Sequence, residues 1–407
     1  MKQLQVISLP VSHLRLGMYV CELDCSWLQT PFMLQGILLK NEDDLLTLQS
    51  LCRRVSVDVH KSRLTPQEIE AARLVEQIVA PRYPLLSNMP EELLAASVAQ
   101  RKALDDIEVM LAEISAGKPL RSADIVGSLR DCLDSIVRNP SAMLWLARIK
   151  HADRYTAEHC LNVAILAMNF GRHLGLSRLH LEWLGLCGML HDVGKMQVPA
   201  DLLNKPGRLT AEEFEVVKRH AEQGYEALRD DPDLPPTVLA AVRSHHERMD
   251  AKGYPQQLPP DQIGFFTRIT SIVDAYDAIT SQRCYSPAQS SDRALNILYA
   301  NRGTQFDEML VIRFIESVGV YPPGVPVELS SGEVAVVIAN NPQWRLLPKV
   351  AVVGGNPASC HLHRIVDLAT ELALPAEKRL RIVRALAADE IGLDLEAFAA
   401  QTLNALR

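Results

Sequence analysis

The sequence predicts a mainly α protein: an all-helical core, a small β-rich domain ahead of it, and a short β unit plus helices at the C-terminus. Three observations carry this reading. Residues 141 to 318 combine helix-start signals with apolar residues at the spacing of one helix face. Short alternating or apolar runs, the pattern of strands, gather towards both ends. A chain of 407 residues also exceeds one ordinary core, so two or three domains are expected.

Leu4 to Leu9 and Val55 to Val59 read as strands, and Gly17 to Val20 opens another, which makes residues 1–62 a β-rich domain. Residues 63–140 read as a helical linker. Within it Thr65 is an N-cap with Pro66 in the first turn, residues 81–90 form a loop, and a long helix runs from about Pro90 to Ser115. In the central domain, 141–320, Thr210 to Glu213 is a capping box. Pro235-Pro236 starts the helix that carries His245 and His246. Past Tyr321-Pro322-Pro323-Gly324 three strands are expected, Val327 to Leu329, Glu333 to Ile338 and Val350 to Val353, in a β unit over 321–365. Residues 366–407 are expected to form two amphipathic helices.

Composition is that of a globular protein, 48% hydrophobic and 22% charged. A net charge of -7 argues against a nucleic-acid polymer as partner and leaves a small anionic ligand open. Met1 to Val20 lacks the apolar run and cleavage site of a signal peptide. No stretch approaches the roughly eighteen apolar residues of a membrane helix, so no membrane span and a cytoplasmic location are expected. The eight cysteines are dispersed without disulfide or zinc spacing and read as reduced thiols.

Seven residues carry the chemistry: His159, His191, Asp192, His220, His245, His246 and Asp274. His159 shares a helical stripe with Val163, Leu166 and Phe170, and His246 shares one with Leu239 and Val242, so both point inward. A lone buried histidine is usually a satisfied core group. Seven polar groups aimed at one core would each need a partner that the sequence hardly offers, and metal coordination satisfies them together. Imidazole with carboxylate suits Fe, Mn, Zn and Ni.

The H-D step at 191–192 with Gly194 and Lys195, the H-H doublet at 245–246 and the G-Y-P segment at 253–255 follow one another in order. Over about residues 145 to 320 this pattern resembles the HD-GYP family of cyclic di-GMP phosphodiesterases, within the HD superfamily of metal-dependent phosphohydrolases. The resemblance implies two divalent metals, Fe or Mn, bridged by Asp192. His159, His191 and Asp274 then complete one site, and His220, His245 and His246 the other. Asp277 competes with Asp274 on spacing alone; the family pattern picks Asp274. Two divalent ions against two aspartates leave positive charge for a bridging hydroxide and a phosphate. That hydroxide would attack phosphorus in line with the 3′ oxygen, giving linear pGpG and, after a second cut, GMP.

Lys195 would pair with a substrate phosphate, and Arg283 and Tyr285 match the family's R-x-Y step, which contacts phosphate or guanine. Gly253, Tyr254 and Pro255 read as a structural turn, a lid, or a docking surface for diguanylate cyclase (GGDEF) domains. The implied role is signal transduction through a second messenger that controls motility and biofilm formation. The first sixty residues resemble the accessory domain often found ahead of HD-GYP domains and are expected to regulate. A fragment beginning near residue 120 is therefore expected to fold and hydrolyse substrate.

The chain departs from the family pattern in places. Its loop reads HHERMDAKGYP, with Met249 in place of an aromatic and Ala251 in place of a glycine. Cys284 stands where proline is common and Ser286 where a basic residue is common. Tyr155 occupies the position from which a glutamate binds a third metal in some members, so two metals are expected. Three rivals remain: a non-catalytic cyclic di-GMP receptor, an interaction protein, and a phosphohydrolase of another cyclic dinucleotide. The complete ligand set argues against the first. The oligomeric state is left open.

Overall fold

The computed structural model describes residues 6–11, 14–23, 32, 36–52, 54–66, 68–69, 83–118, 121–149, 154–203, 205, 207–281, 289–341, 344, 346–355, 361–386 and 398. Two compact units divide the chain, one of Met1–Arg82 with Leu174–Ser177 and one of Tyr83–His173 with Arg178–Arg407.

The N-terminal unit holds strands β1 (Val6–Pro10), β2 (Tyr19–Leu23), β3 (Ile37–Leu38) and β4 (Arg54–Asp58) in the order β1-β4-β2-β3, with every described pairing antiparallel. Alternation sets the faces: Ile7 pairs with Val57 and Leu9 with Val55, and all four are buried in one apolar cluster. The expected strands are present, and a helix joins them. Helix α1 (Glu42–Leu51) starts where the Asn41 side chain accepts from the Asp44 amide at 2.8 Å.

In the second unit, α2 (Met89–Ser115) begins at Asn88, whose side chain accepts from the Glu91 amide at 3.0 Å. Leu93, Ala96, Ala103, Ile107, Met110 and Ile114 form its buried stripe. This corrects the expected linker. Helix α2 packs against α3 (Ala123–Arg138), α4 (Pro140–Leu146) and α5 (Tyr155–His173), and against the 3-10 turn Val193–Gln197. Buried Glu92 takes two hydrogen bonds from Arg138, at 2.7 and 2.8 Å. Arg154, one residue ahead of α5, ion-pairs Asp105 at 2.7 Å and also Glu108 of α2. A fragment starting near residue 120 loses this stripe and leaves apolar faces of α3 to α5 uncovered, so that cut falls inside a core and not beside one.

Next come α6 (Arg178–Leu190), α7 (Ala200–Leu203), α8 (Ala211–Lys218), α9 (His220–Leu228) and α10 (Pro236–Ser244). The helical part ends with α11 (Phe265–Thr280), α12 (Ser291–Ala300) and α13 (Glu308–Val318). The Thr210–Glu213 capping box opens α8 with both reciprocal hydrogen bonds, and Pro236 sits in the first turn of α10.

Behind the helices lies a five-stranded antiparallel sheet: β5 (Pro326–Leu329), β6 (Val334–Ala339), β7 (Lys349–Gly354), β8 (His361–Asp367) and β9 (Ile382–Ala385), in the order β8-β7-β6-β5-β9. The expected C-terminal helices over 366–407 are corrected for the described part. Only short 3-10 turns, Thr370–Ala373 and Ala376–Lys378, precede β9 there. The reason is the free edge of β5, whose backbone groups β9 satisfies by pairing Val327 with Ala385 and Glu328 with Arg384. Leu380 and Ile382 then pack on the sheet's apolar cluster. The residues after 386, Phe398 apart, lie outside the described ones.

Candidate metal centre

The seven candidate residues form one cluster, with Asp192 shared between two of its groups. His159 stands in α5, His191 directly after α6, Asp192 at the start of the Val193–Gln197 turn, and His220 at the first position of α9. His245 is the C-cap of α10 and His246 follows it, which corrects the expectation that both ride on that helix. Adjacent residues within a helix point about 100° apart and do not face one target. Ending the helix at Ser244 lets both imidazoles converge, with ring centroids 4.0 Å apart. One glycine makes the close approach possible. A Cβ on Gly194 would lie 1.9 Å from the His220 carbonyl oxygen, so no side chain fits between the H-D turn and α9.

Potential ligand atoms fall into overlapping groups: Asp192 with His220, His245 and His246; His159 and His191 with Asp192; His191 and His245 with Asp274. His191 Nε2 lies 3.3 Å from Asp192 Oδ2, and His220 Nε2 lies 3.4 Å from Asp192 Oδ1. His159 Nε2 lies 3.2 Å from Asp274 Oδ1. Asp192 thus faces two sets of imidazoles with its two oxygens.

The outer nitrogens are anchored. Nδ1 of His191, His220 and His245 bonds the carbonyls of Gly188, Val217 and Val242 at 2.8, 2.7 and 2.8 Å. A carbonyl can only accept, so each Nδ1 carries a proton, and each ring in its neutral form presents the Nε2 lone pair to the centre. His159 Nδ1 instead meets Asp277 Oδ2 at 2.7 Å, and Asp277 Oδ2 lies 3.1 Å from Ser281 Oγ. Asp274 therefore faces the centre while Asp277 backs His159, an arrangement that spacing along one helix did not separate. The sequence held a signal for it. Asp274 and Asp277 are three apart on α11, so both border the same side, and an inward histidine needs an outer acceptor.

Electrostatics agrees with a cation site. Burial drives His246 down to about 3 and holds His245 well below the ordinary imidazole range, where neighbouring imidazoles add to the effect. His220 is also lowered, chiefly by burial. For His191 burial works against the charged form, yet the carboxylates of Asp192 and Asp274 raise it to about 10. Both carboxylates lie well below their usual range although burial opposes this: His191 and Lys195 act on Asp192, and the nearby His159 and His191 rings, with Nε2 atoms 3.2 and 3.7 Å from Oδ1, act on Asp274. Two buried carboxylates demand positive charge at their centre; His220, His245 and His246 resist supplying it, while His191 is drawn toward its charged form. The buried His191 Nε2 and Asp192 Oδ1 have no hydrogen-bond partner. A divalent ion satisfies both requirements, so the donor set fits the metals that the fold implies.

The site is buried inside and open at one end. His191, Asp192, His220 and His245 are buried, while the Asp274 side chain is 14% and Lys195 28% exposed. Lys195 Nζ contacts Asp192 Oδ2 at this mouth. Tyr254 points inward, its ring stacked on His246 at 4.6 Å and 33°. Glu247, itself buried, fixes the loop by accepting from the Gln256 and Leu258 amides at 2.7 and 3.0 Å. A Cβ on Gly253 would come within 2.4 Å of Glu247 Cα, so the G-Y-P glycine is required by a close approach. Lys252, Pro255, Gln256 and Gln257 are the exposed positions of the loop between Ala251 and Leu258. Arg283 and Tyr285 lie outside the described residues, as do Cys284, Ser286 and the Tyr155 side chain.

The helical core with its Asp192-centred cluster defines an HD-domain metal-dependent phosphohydrolase, and residues 138–310 match the HD domain family. Residues 6–125 match a domain of unknown function (DUF3391). A cyclic di-GMP phosphodiesterase of Pseudomonas aeruginosa is 35% identical over 349 residues, 84% of each chain. A cyclic di-GMP phosphodiesterase response regulator of Xanthomonas campestris is 38% identical over 169 residues, 41% of this chain and 44% of that one. A 3′3′-cGAMP-specific phosphodiesterase of Vibrio cholerae is 30% identical over 224 residues, 54% of this chain and 42% of that one. The chain belongs to the HD-GYP family of phosphodiesterases, with a DUF3391 region at its N-terminal end. No helix among the described residues is long and apolar enough to cross a membrane.

Proposed function

We propose that this protein hydrolyses cyclic di-GMP, opening the ring to linear pGpG and cutting that further to GMP. The observation that carries the reading is the gathering of five imidazoles and the Asp274 carboxylate around Asp192, with the buried His191 Nε2 and Asp192 Oδ1 left without a hydrogen-bond partner. We assign two ions, Fe or Mn, one between Asp192 and the His159, His191 and Asp274 set, the other between Asp192 and the His220, His245 and His246 set. Bound ions there neutralise the phosphate oxygens and lower the pKa of the attacking water. Asp192 ties the two sets together, and the carbonyl-anchored imidazoles keep their Nε2 atoms aimed without rearrangement. Lys195 turns from Asp192 to the substrate phosphate as a compact positive charge. Burial and the two aspartates raise the Tyr254 phenol, so it remains a neutral donor beside His246. Arg283 and Tyr285 are assigned phosphate or guanine contacts by resemblance.

A substrate of this class is made and used inside the cell, so we place the protein in the cytoplasm, where turnover lowers a signal for biofilm formation and motility. Any docking of cyclase domains to the G-Y-P loop would use Lys252, Pro255 and Gln256, since Tyr254 faces His246. The 3′3′-cGAMP-specific relative favours a second reading, hydrolysis of a mixed cyclic dinucleotide. Protein reconstituted with iron or manganese, incubated with cyclic di-GMP, 3′3′-cGAMP, cyclic di-AMP and pGpG, separates the two. Fastest turnover of cyclic di-GMP is expected. Binding of cyclic di-GMP without turnover in fully loaded protein would turn the reading to a receptor.

A further inference from the structure

Deep in the centre the side chains are sealed, so a substrate enters where Asp274, Lys195 and His246 meet solvent. Tyr254 covers His246 there, and the ring of Phe214 stands against Tyr254, centroids 6.1 Å apart and 83° inclined. Phe214 is 45% exposed, and α8, which carries it, has no buried residue. Core packing therefore does not account for an aromatic at this position. One turn further on, Lys218 places Nζ 5.4 Å over the Phe214 ring and 5.6 Å over that of Tyr254, with Glu215 Oε1 at 2.5 Å. An open aromatic face and a cation thus lie one ring beyond the metal ligands, on the accessible side.

We propose that Phe214, Lys218 and Tyr254 form the subsite that takes one guanine base of the substrate, an inference that rests on the phosphodiesterase reading above. A phosphate at the ions carries its base one ribose away, and Tyr254 and Phe214 follow His246 in that order, with ring centroids 4.6 Å and then 6.1 Å apart. Stacking on an aromatic face accepts any base. The cation adds selection. Guanine offers O6 and N7 as two acceptors on one edge, whereas adenine offers an amino donor beside N7, which an ammonium does not welcome. Lys218 is therefore the residue that favours guanine over adenine.

Steady-state kinetics on the metal-loaded full chain tests this, with cyclic di-GMP, cyclic di-AMP and bis(p-nitrophenyl) phosphate, a diester without a purine. Phe214→Ala is expected to raise KM for cyclic di-GMP about five- to a hundredfold relative to its effect on the purine-free diester, since stacking is worth about 1–3 kcal/mol per base. The larger part of the loss falls on KM, metal content stays at the wild-type level, and Phe214→Trp retains the low KM. Lys218→Met is expected to narrow the preference for cyclic di-GMP over cyclic di-AMP. An unchanged KM in Phe214→Ala, or an equal rise for both diesters, overturns the subsite while the activity stands. Wild-type protein that neither binds nor cleaves cyclic di-GMP overturns the functional reading itself, and it does so before any variant is made.

Discussion

His159 and the trio His191, His220 and His245 are the same chemical group held in two different ways. Each of the trio bonds the carbonyl three residues earlier, Gly188, Val217 or Val242, and each of those carbonyls lies in the last turn of its helix, α6, α8 or α10. Carbonyls at helix ends lack intrahelical partners, so a histidine just past the end finds an acceptor ready beside it. His159 is inside α5, where the carbonyls are occupied by the helix itself. It takes its acceptor from Asp277, 118 residues away. The trio is aimed by local geometry, and His159 is aimed by the packing of α5 on α11.

Asp192→Ala strikes both arrangements at once and has the largest expected effect. Metal and activity should disappear together, because Asp192 belongs both to the group with His159 and His191 and to the group with His220, His245 and His246. Near-normal hydrolysis by this variant with iron or manganese would sink the two-metal assignment. Asp277→Ala separates the two arrangements. Loss of a carboxylate behind a ligating histidine typically costs about ten- to a hundredfold in metal affinity, and Asp277→Asn, which keeps an acceptor, should recover part of it. Chelator competition followed by metal analysis reads this out; affinity equal to wild type in the alanine variant would show that α5 alone aims His159.

Remote contacts also hold the scaffold, more weakly. Burial works against the Glu92 carboxylate, yet hydrogen bonds from Arg138, Ser135 and Ser87 lower its pKa. A carboxylate lowered in the folded state stabilises above its unfolded pKa, and that stability is lost as pH falls through the folded value. Glu92→Gln should destabilise by about 1.5–3 kcal/mol near neutral pH, the worth of hydrogen bonds to a charged group, and the two unfolding curves should converge in acid. Parallel curves down to pH 3 would show that the pair does not carry the difference. The smallest effect is local. Ala251 has φ +56°, a conformation that glycine adopts more cheaply, and stands where the family pattern has glycine. Ala251→Gly should stabilise by about 0.5–1 kcal/mol, seen as a modest rise in Tm, and a fall would mean that the Ala251 methyl contributes packing.

Much of this was legible without coordinates. Asn88-Met89-Pro90 and the Thr210–Glu213 box are short-range capping signals, and the helices start at them. The order of H-D, H-H and G-Y-P marked the ligand candidates because each step is a contiguous string. The helix at Glu42–Leu51 was missed although Asn41 is a sound N-cap, since strands on both sides of it dominated the reading of that region. Strand β9 was read as helix because pairing with β5, more than fifty residues earlier, leaves no mark in its own four residues.

The sequence by itself determined the identities of the candidate ligands, the mainly α class, and the capping box that starts α8 at Thr210. Those depend on neighbours within a few residues, and backbone hydrogen bonding decides them locally. Tertiary structure alone decided that Asp274 faces the centre while Asp277 backs His159. It also decided that α2 belongs to the core, and that Tyr254 turns inward onto His246 under the control of Glu247. Each of these is a choice between faces that the chain offers equally, and only packing against a distant segment removes one of them.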